Sequence, residues 1–259
     1  MNSEKSAYPS TESVILGLRR GLFRSWREQM SAMGCTQSDI DALLKASRQL
    51  HLAEGKTFCG EVDFPGIILI EDGIIAREHV LSDGRAGISY VMMSGNLILA
   101  EKAKNFGTSL MHSRCLTPVT VRLLPYELSG PLMAKNLRIS HFVYAHANFL
   151  AVRIEEAAML RQLLPKKDFV YLAVLLINDA WTKRGNGAIP FSDDTWCRIV
   201  CSTRQYFNGA IRPLVKAGIL EKGYRSLKVL DEQRLREMMS CDYFSHYRMR
   251  HSTVELEHR

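Results

Sequence analysis

Arg204, Gln205, Asn208 and Arg212 follow the helix-capping candidate Thr203 at spacings that gather them on one side of a helix. Phe207, Ala210, Ile211 and Leu214 recur at helical intervals and supply the apolar side. Guanidinium and amide groups at the start of such a helix can hydrogen-bond base edges and phosphates when the helix lies in a major groove. Arg204, Gln205 and Asn208 are the candidates for base contacts. Thr203, Arg212, Lys216, Lys222 and Arg225 are the candidates for phosphate contacts. This chemistry is recognition, not bond-making. The chain has no Gly-x-Ser-x-Gly elbow, no glycine-rich phosphate loop and no His-Glu-x-x-His, and the adjacent Glu155 and Glu156 point apart on a helix, so no catalytic residue is assigned.

The elements that must position these residues span 191–230. Ser192 caps a short helix carrying Trp196, Ile199 and Val200, a tight break falls at Cys201–Ser202, and the Thr203 helix follows until Gly218. The apolar runs Ile219–Leu220 and Leu227–Leu230 flank the polar tip Lys222-Gly223-Tyr224-Arg225-Ser226. A helix-turn-helix followed by a wing accounts for all of them. Pro213 cannot donate to the Gly209 carbonyl, which predicts a helix that bends or loosens over 209–213.

The phrase CSTRQYFNGAIRPLVKAGIL resembles the recognition helix of the CRP/FNR family of bacterial transcription regulators. Arg204 falls on that family's base-reading arginine, Gln205 on a position usually held by glutamate, and Gly209 on that of a second arginine. Upstream, GIILIEDGIIAREHVLSDGRAGISYVMMSGNLI alternates strand-like runs with Asp72-Gly73, Asp83-Gly84-Arg85 and Gly95-Asn96, similar to the family's β-roll. The resemblance implies an α+β fold: an N-terminal β-roll (a cyclic-nucleotide-binding-like jelly roll) with flanking helices, a long dimerisation helix and a C-terminal winged helix-turn-helix. The corresponding segments are 1–130, 131–164 and 165–259. It also implies a homodimeric transcription regulator of double-stranded DNA, with half-sites about one helical turn apart. RNA polymerase is a candidate second partner, and the small-molecule effector is unspecified.

The family's cyclic-nucleotide cassette needs a Gly-Glu pair for the ribose and an arginine for the phosphate. Gly95-Asn96 is followed by Leu97-Ile98-Leu99-Ala100, and the arginine position falls near Ser109 and Leu110, with Arg114 as the nearby alternative. A buried cyclic phosphate without a positive partner is costly, so no cofactor and no control by cAMP are expected. The alternative is a cyclic-nucleotide- or redox-responsive regulator, with the roll or Cys197 and Cys201 as its sensor.

Composition agrees with a two-domain reading. The chain has 259 residues, 46% hydrophobic and 24% charged, with a formal net charge of +7. Residues 164–259 hold 16 Lys and Arg against 11 Asp and Glu, so most of the positive charge falls on the half with the helix-turn-helix. The six cysteines show no zinc-ligand spacing, and no metal is assigned; His79 is the one histidine considered for haem. The polar start MNSEKSAYPSTES and the nine-residue apolar run Phe169–Ile177 predict a cytoplasmic protein without a membrane span. Helices are expected at Val14–Met33, Ser38–Leu50 and, after Pro131, Leu132–Leu164. Strands are expected across 51–125.

Overall fold

A computed structural model describes residues 25–100, 110–182 and 184–240. Helix α1 (Trp26–Ala32) is capped by Ser25, and α2 (Gln37–Ala46) opens on a reciprocal capping box between Thr36 and Asp39. The part of the first expected helix before residue 25 lies outside the described residues. The second is shorter than expected: α2 ends at Ala46, and Arg48–Leu52 is strand β1. Its backbone pairs with the distant segment 119–123, and that ladder overrides the local helical pattern.

Seven further strands follow: β2 (Thr57–Phe58), β3 (Gly66–Asp72), β4 (Ile74–Val80), β5 (Ala86–Met93), β6 (Leu97–Ala100), β7 (Leu110–Cys115) and β8 (Val119–Pro125). A short helix, α3 (Gly60–Asp63), separates β2 from β3. The strands form two antiparallel sheets, ordered β1-β8-β3-β6 and β2-β7-β4-β5. Phe58, Ile68, Ile70, Ile75, Met92 and Val121 fill the space between them. The Asp-Gly turns sit where the sequence places them. Gly73 has φ 87°, and a Cβ there would come 2.4 Å from the Pro118 carbonyl oxygen, so only glycine fits.

Strand alternation fixes what covers each sheet. Along β4, Ile75 points into the roll, while Ile74 and Ala76 point outward. The outer face of the first sheet is covered by α1, α2 and the start of α5 (Leu137–Leu163), which bury Trp26, Met30, Leu43, Phe142 and Phe149 against Leu69, Leu97 and Leu124. The helical run after β8 is broken differently from expectation. Pro131 lies inside α4 (Tyr126–Lys135), and the break falls at Asn136, whose side chain accepts from the backbone N–H groups of Arg138 and Ile139.

The chain continues through α6 (Lys166–Thr182), α7 (Asp193–Ile199), α8 (Arg204–Lys216), β9 (Leu220–Gly223), β10 (Ser226–Val229) and α9 (Glu232–Glu237). Their core is continuous with the outer face of the second sheet: Ile74, Ala76, Ile88 and Met93 pack in one cluster with Leu172, Trp196 and Ile211. Among the described residues, no helix is long and apolar enough to cross a membrane.

Candidate nucleic-acid interface

Local chemistry builds the α7–turn–α8 unit as the sequence predicts. Ser192 Oγ accepts from the Thr195 N–H at 3.2 Å, and Thr203 Oγ1 accepts from the Tyr206 N–H at 3.2 Å. Between the helices Cys201 takes φ 49°, the left-handed conformation that turns the chain tightly. Trp196 stacks on Phe207 with ring centroids 5.9 Å apart, and the Tyr171 hydroxyl donates to the Ala210 carbonyl at 3.1 Å. These contacts fix α8 on α6 and α7.

Strands β9 and β10 pair from Leu220↔Val229 to Gly223↔Ser226, which leaves Tyr224 and Arg225 as a two-residue tip. Ile189 pairs with Leu227 through two backbone hydrogen bonds, 2.7 and 3.0 Å, adding a third strand segment to the wing. The bend or loosening expected over 209–213 does not interrupt the helix. The α-helix runs unbroken to Lys216, and the Pro213 carbonyl accepts from the Ala217 N–H at 3.0 Å. Pro213 is on the solvent side, and the buried stripe Phe207, Ala210, Ile211 and Leu214 holds the helix in place.

The predicted contact residues fall into two groups. Arg204 (69% exposed side chain), Gln205, Arg212 and Lys216 are exposed along α8, with Thr203 at its capped end. Asn208 and Lys222 are instead engaged with each other. The Lys222 ammonium donates to Asn208 Oδ1 at 2.6 Å and to Asp193 Oδ2 at 2.7 Å, while Asn208 Nδ2 donates to the same carboxylate at 3.1 Å. Partial burial opposes ionisation of Asp193. The Lys222 and Asn208 hydrogen bonds and the nearby Lys222 and Arg204 charges outweigh it and hold the carboxyl below the usual carboxylate value.

Carboxylates also meet two other predicted cations. Arg204 Nη2 lies 3.5 Å from Asp194 Oδ1, and Arg225 Nη2 lies 2.6 Å from Glu54 Oε1 in the loop after β1. Asp194 is shared with Arg198, whose Nε is 3.0 Å from Asp194 Oδ2 and whose Nη1 is 3.4 Å from Glu78 Oε1. Glu78 is buried on β4 and also meets Arg114 at 2.7 Å and His112 at 3.1 Å from β7. Sequence reasoning missed Asp193, Asp194, Arg198, Glu78 and Glu54. The Asp194/Arg198 pair carried a signal, an i,i+4 spacing on α7. The others depend on contacts between distant segments.

Two backbone clamps add to the seam between roll and helix-turn-helix. Arg161 Nη2 donates to the Ile199 carbonyl at 3.1 Å and reaches the Ile88 carbonyl at 3.5 Å, and Arg184 Nη2 donates to the Ser94 carbonyl at 2.6 Å. Of the cysteines considered for redox sensing, Cys197 is buried, and burial together with Asp193 and Asp194 pushes its thiol up. Cys201 is exposed and donates to the Arg198 carbonyl at 3.7 Å. Burial, with the charges of Arg77 and His112, lowers the His79 pKa. Among the described residues, no group of three or more His, Cys, Asp and Glu could hold a metal ion.

No family profile and no curated protein matches the sequence. Solved structures do match. FixK2 from Bradyrhizobium japonicum aligns with a TM-score of 0.61 at 17% identity, over 75% of this chain and 98% of that one. The c-di-GMP-responsive global regulator CLP from Xanthomonas campestris gives 0.57 at 16% identity, over 75% and 99%. A CRP/FNR-family transcriptional regulator from Thermus thermophilus gives 0.56 at 17% identity, over 73% and 97%. These matches extend over nearly the whole of those chains, and this protein has the fold of the CRP/FNR transcription regulators.

Proposed function

We propose that this chain is a sequence-specific DNA-binding transcription regulator that acts as a homodimer and is not controlled by cAMP. The observation that carries the reading is α8 itself. Its apolar stripe is buried in the helix-turn-helix core, and Arg204, Gln205, Arg212 and Lys216 are left on the exposed side, with the wing beside them. Arg204 and Gln205 are the proposed base readers, since neither is needed for the core. Thr203, Arg212 and Lys216 are proposed to meet phosphates, and Lys222 and Arg225 to do so after exchanging their carboxylate partners. Asn208 is retained as a base-contact candidate on the same condition.

The dimer would use the exposed side of α5, where Leu137 (81% exposed), Tyr144, Met159 and Leu163 are apolar and solvent-facing. Sedimentation should give a mass near twice 29.4 kDa; a monomer at micromolar concentration would remove this part of the reading.

Packing among the described residues of the roll supports independence from cAMP. Apolar side chains of the described strands pack between the two sheets, and a cavity lined by Gly60, Arg77, Ile98, Met111, His112 and Ser113 measures about 10 Å³, room for roughly one water; residues 101–109 lie outside the described residues. Ser109 lies outside the described residues, and Arg114 pairs with Glu78. Selection of duplexes from a random pool, followed by anisotropy titrations, tests the function. Enrichment of a motif that Arg204→Ala no longer distinguishes is expected; failure to enrich any motif would overturn it. A thermal shift with cAMP, abolished by Arg114→Ala, would overturn the independence from cAMP.

A further inference from the structure

One line of ion pairs runs from the outer face of the roll's second sheet to the first turn of α8. Its links are Arg114 to Glu78 (2.7 Å), Glu78 to Arg198 (3.4 Å), Arg198 to Asp194 (3.0 Å) and Asp194 to Arg204 (3.5 Å). Exposure is lowest at Glu78 and rises from there towards α8: the Glu78 side chain is 3% exposed, Arg198 34%, Asp194 42% and Arg204 69%, with Arg114 on the other side at 23%. The buried end is fixed by its sheet neighbours, since His112 and Arg114 flank Glu78 on the adjacent strand. The outer end, Asp194 and Arg204, is open to solvent.

Charge balance gives the line a direction. Arg198 contributes one positive charge and faces two carboxylates through different nitrogens, Nη1 towards Glu78 and Nε towards Asp194. The more of that charge Glu78 engages, the less neutralised Asp194 is, and the more tightly Asp194 holds Arg204. A phosphate or base edge must then displace Asp194 before Arg204 can contact DNA. We propose that Glu78, a residue of the roll, is a positioning residue for DNA binding: through Arg198 and Asp194 it sets how available Arg204 is. The surface of β4 and β7 around Glu78 is thereby the place where a change in the roll reaches the recognition helix. This inference rests on the DNA-binding reading of α8.

The test compares full-length wild type with Glu78→Gln, Arg198→Gln and Asp194→Asn. Its probes are the duplex enriched by the wild type and a scrambled duplex, at fixed salt. Glu78→Gln should tighten binding by about two- to fivefold, the range of a single exposed ion pair, and Arg198→Gln should weaken it by a similar factor. Asp194→Asn should tighten binding, and in its background both other effects should shrink, the signature of a shared route. A simple clasp between roll and helix-turn-helix would instead move Glu78→Gln and Arg198→Gln in the same direction, and that result overturns the relay.

If Glu78→Gln does not fold, Arg114→Gln serves in its place. It leaves Glu78 to draw harder on Arg198 and should weaken binding; tighter or unchanged binding would overturn the proposal. The Arg204 Nε–Hε resonance of the DNA-free protein reads the relay without a duplex. Glu78→Gln or Asp194→Asn should speed its exchange with water, and an unchanged resonance in both overturns the proposal. A wild type that enriches no motif, with these resonance shifts present, would overturn the DNA reading and leave the relay standing.

Discussion

The Lys222 ammonium lies 2.6 Å from Asn208 Oδ1, so the wing and the recognition helix are joined by a hydrogen bond between two residues that could each have faced DNA alone. Asp193 closes the triangle from α7, accepting from both. The three side chains form one unit in which each engages the other two, so a phosphate or base competes with Asp193 for the Lys222 ammonium and the Asn208 amide.

The Asp193 triangle makes stability depend on acid. The Asp193 carboxyl has its folded-state pKa below the usual 3.8, so its stabilisation is fully present above that value and is lost as pH falls through the folded pKa. Asp193→Asn should therefore lower stability by about 0.5–1 kcal/mol near neutral pH, and wild type and variant should converge in acid, once the pH has fallen through the lowered Asp193 value. Urea unfolding at neutral and acid pH measures this. A constant difference between the two proteins would show that the ion pair is not the source.

His146 gives a larger effect in a different pH window. Burial lowers its pKa from 6.5 to about 4, while its Nε2 stays 3.1 Å from the Gly95 carbonyl at the β5–β6 turn. The ring is neutral in both folded and unfolded states above pH 6.5. Below that only the unfolded chain takes up the proton, so stability falls between pH 6.5 and 4, by about 3 kcal/mol in the limit. His146→Gln keeps a donor for Gly95 and should remove that slope. Equal slopes in wild type and variant would place the acid sensitivity elsewhere.

Arg204 and Arg212 should separate base reading from phosphate contact. Arg204→Ala should lose discrimination between the selected and scrambled duplexes by roughly 1–3 kcal/mol, the range for one good base contact. Arg212→Ala should weaken both duplexes together and reduce the salt slope by about one. Anisotropy titrations at two salt concentrations decide between these roles. Loss of discrimination with Arg212→Ala instead would move base reading to the far end of α8.

What was legible in the sequence was local. Ser192 and Thr203 cap their helices through hydrogen bonds three residues away, and Gly73, Gly84 and Gly95 take positive φ at turns that their Asp and Asn neighbours announce. What was not legible depends on partners far along the chain. Arg48–Leu52 is a strand only because Val119–Leu123 lies beside it, and the Arg225–Glu54 pair joins residues 171 positions apart. Asn208 shows the same limit within the site. Its spacing on α8 identified a polar residue on the recognition helix, but nothing local revealed that Asp193 and Lys222 already use its amide.

Pro213 tests how far packing overrides local backbone chemistry. The residue is exposed, lies inside a continuous α8, and cannot donate to the Gly209 carbonyl four residues earlier. The stripe Phe207, Ala210, Ile211 and Leu214, buried against α6 and α7, keeps the helix formed despite the missing bond. Pro213→Ala restores a donor at that position and replaces the poorest helix former by the best. It should raise stability by roughly 1–3 kcal/mol. Because the helix is already continuous to Lys216, DNA affinity should change little. Denaturant unfolding together with duplex titration separates the two effects. A variant that is stabilised but binds DNA several-fold more weakly would show that the proline shapes the reading surface; an unstabilised variant would mean that α8 gains nothing from the restored bond.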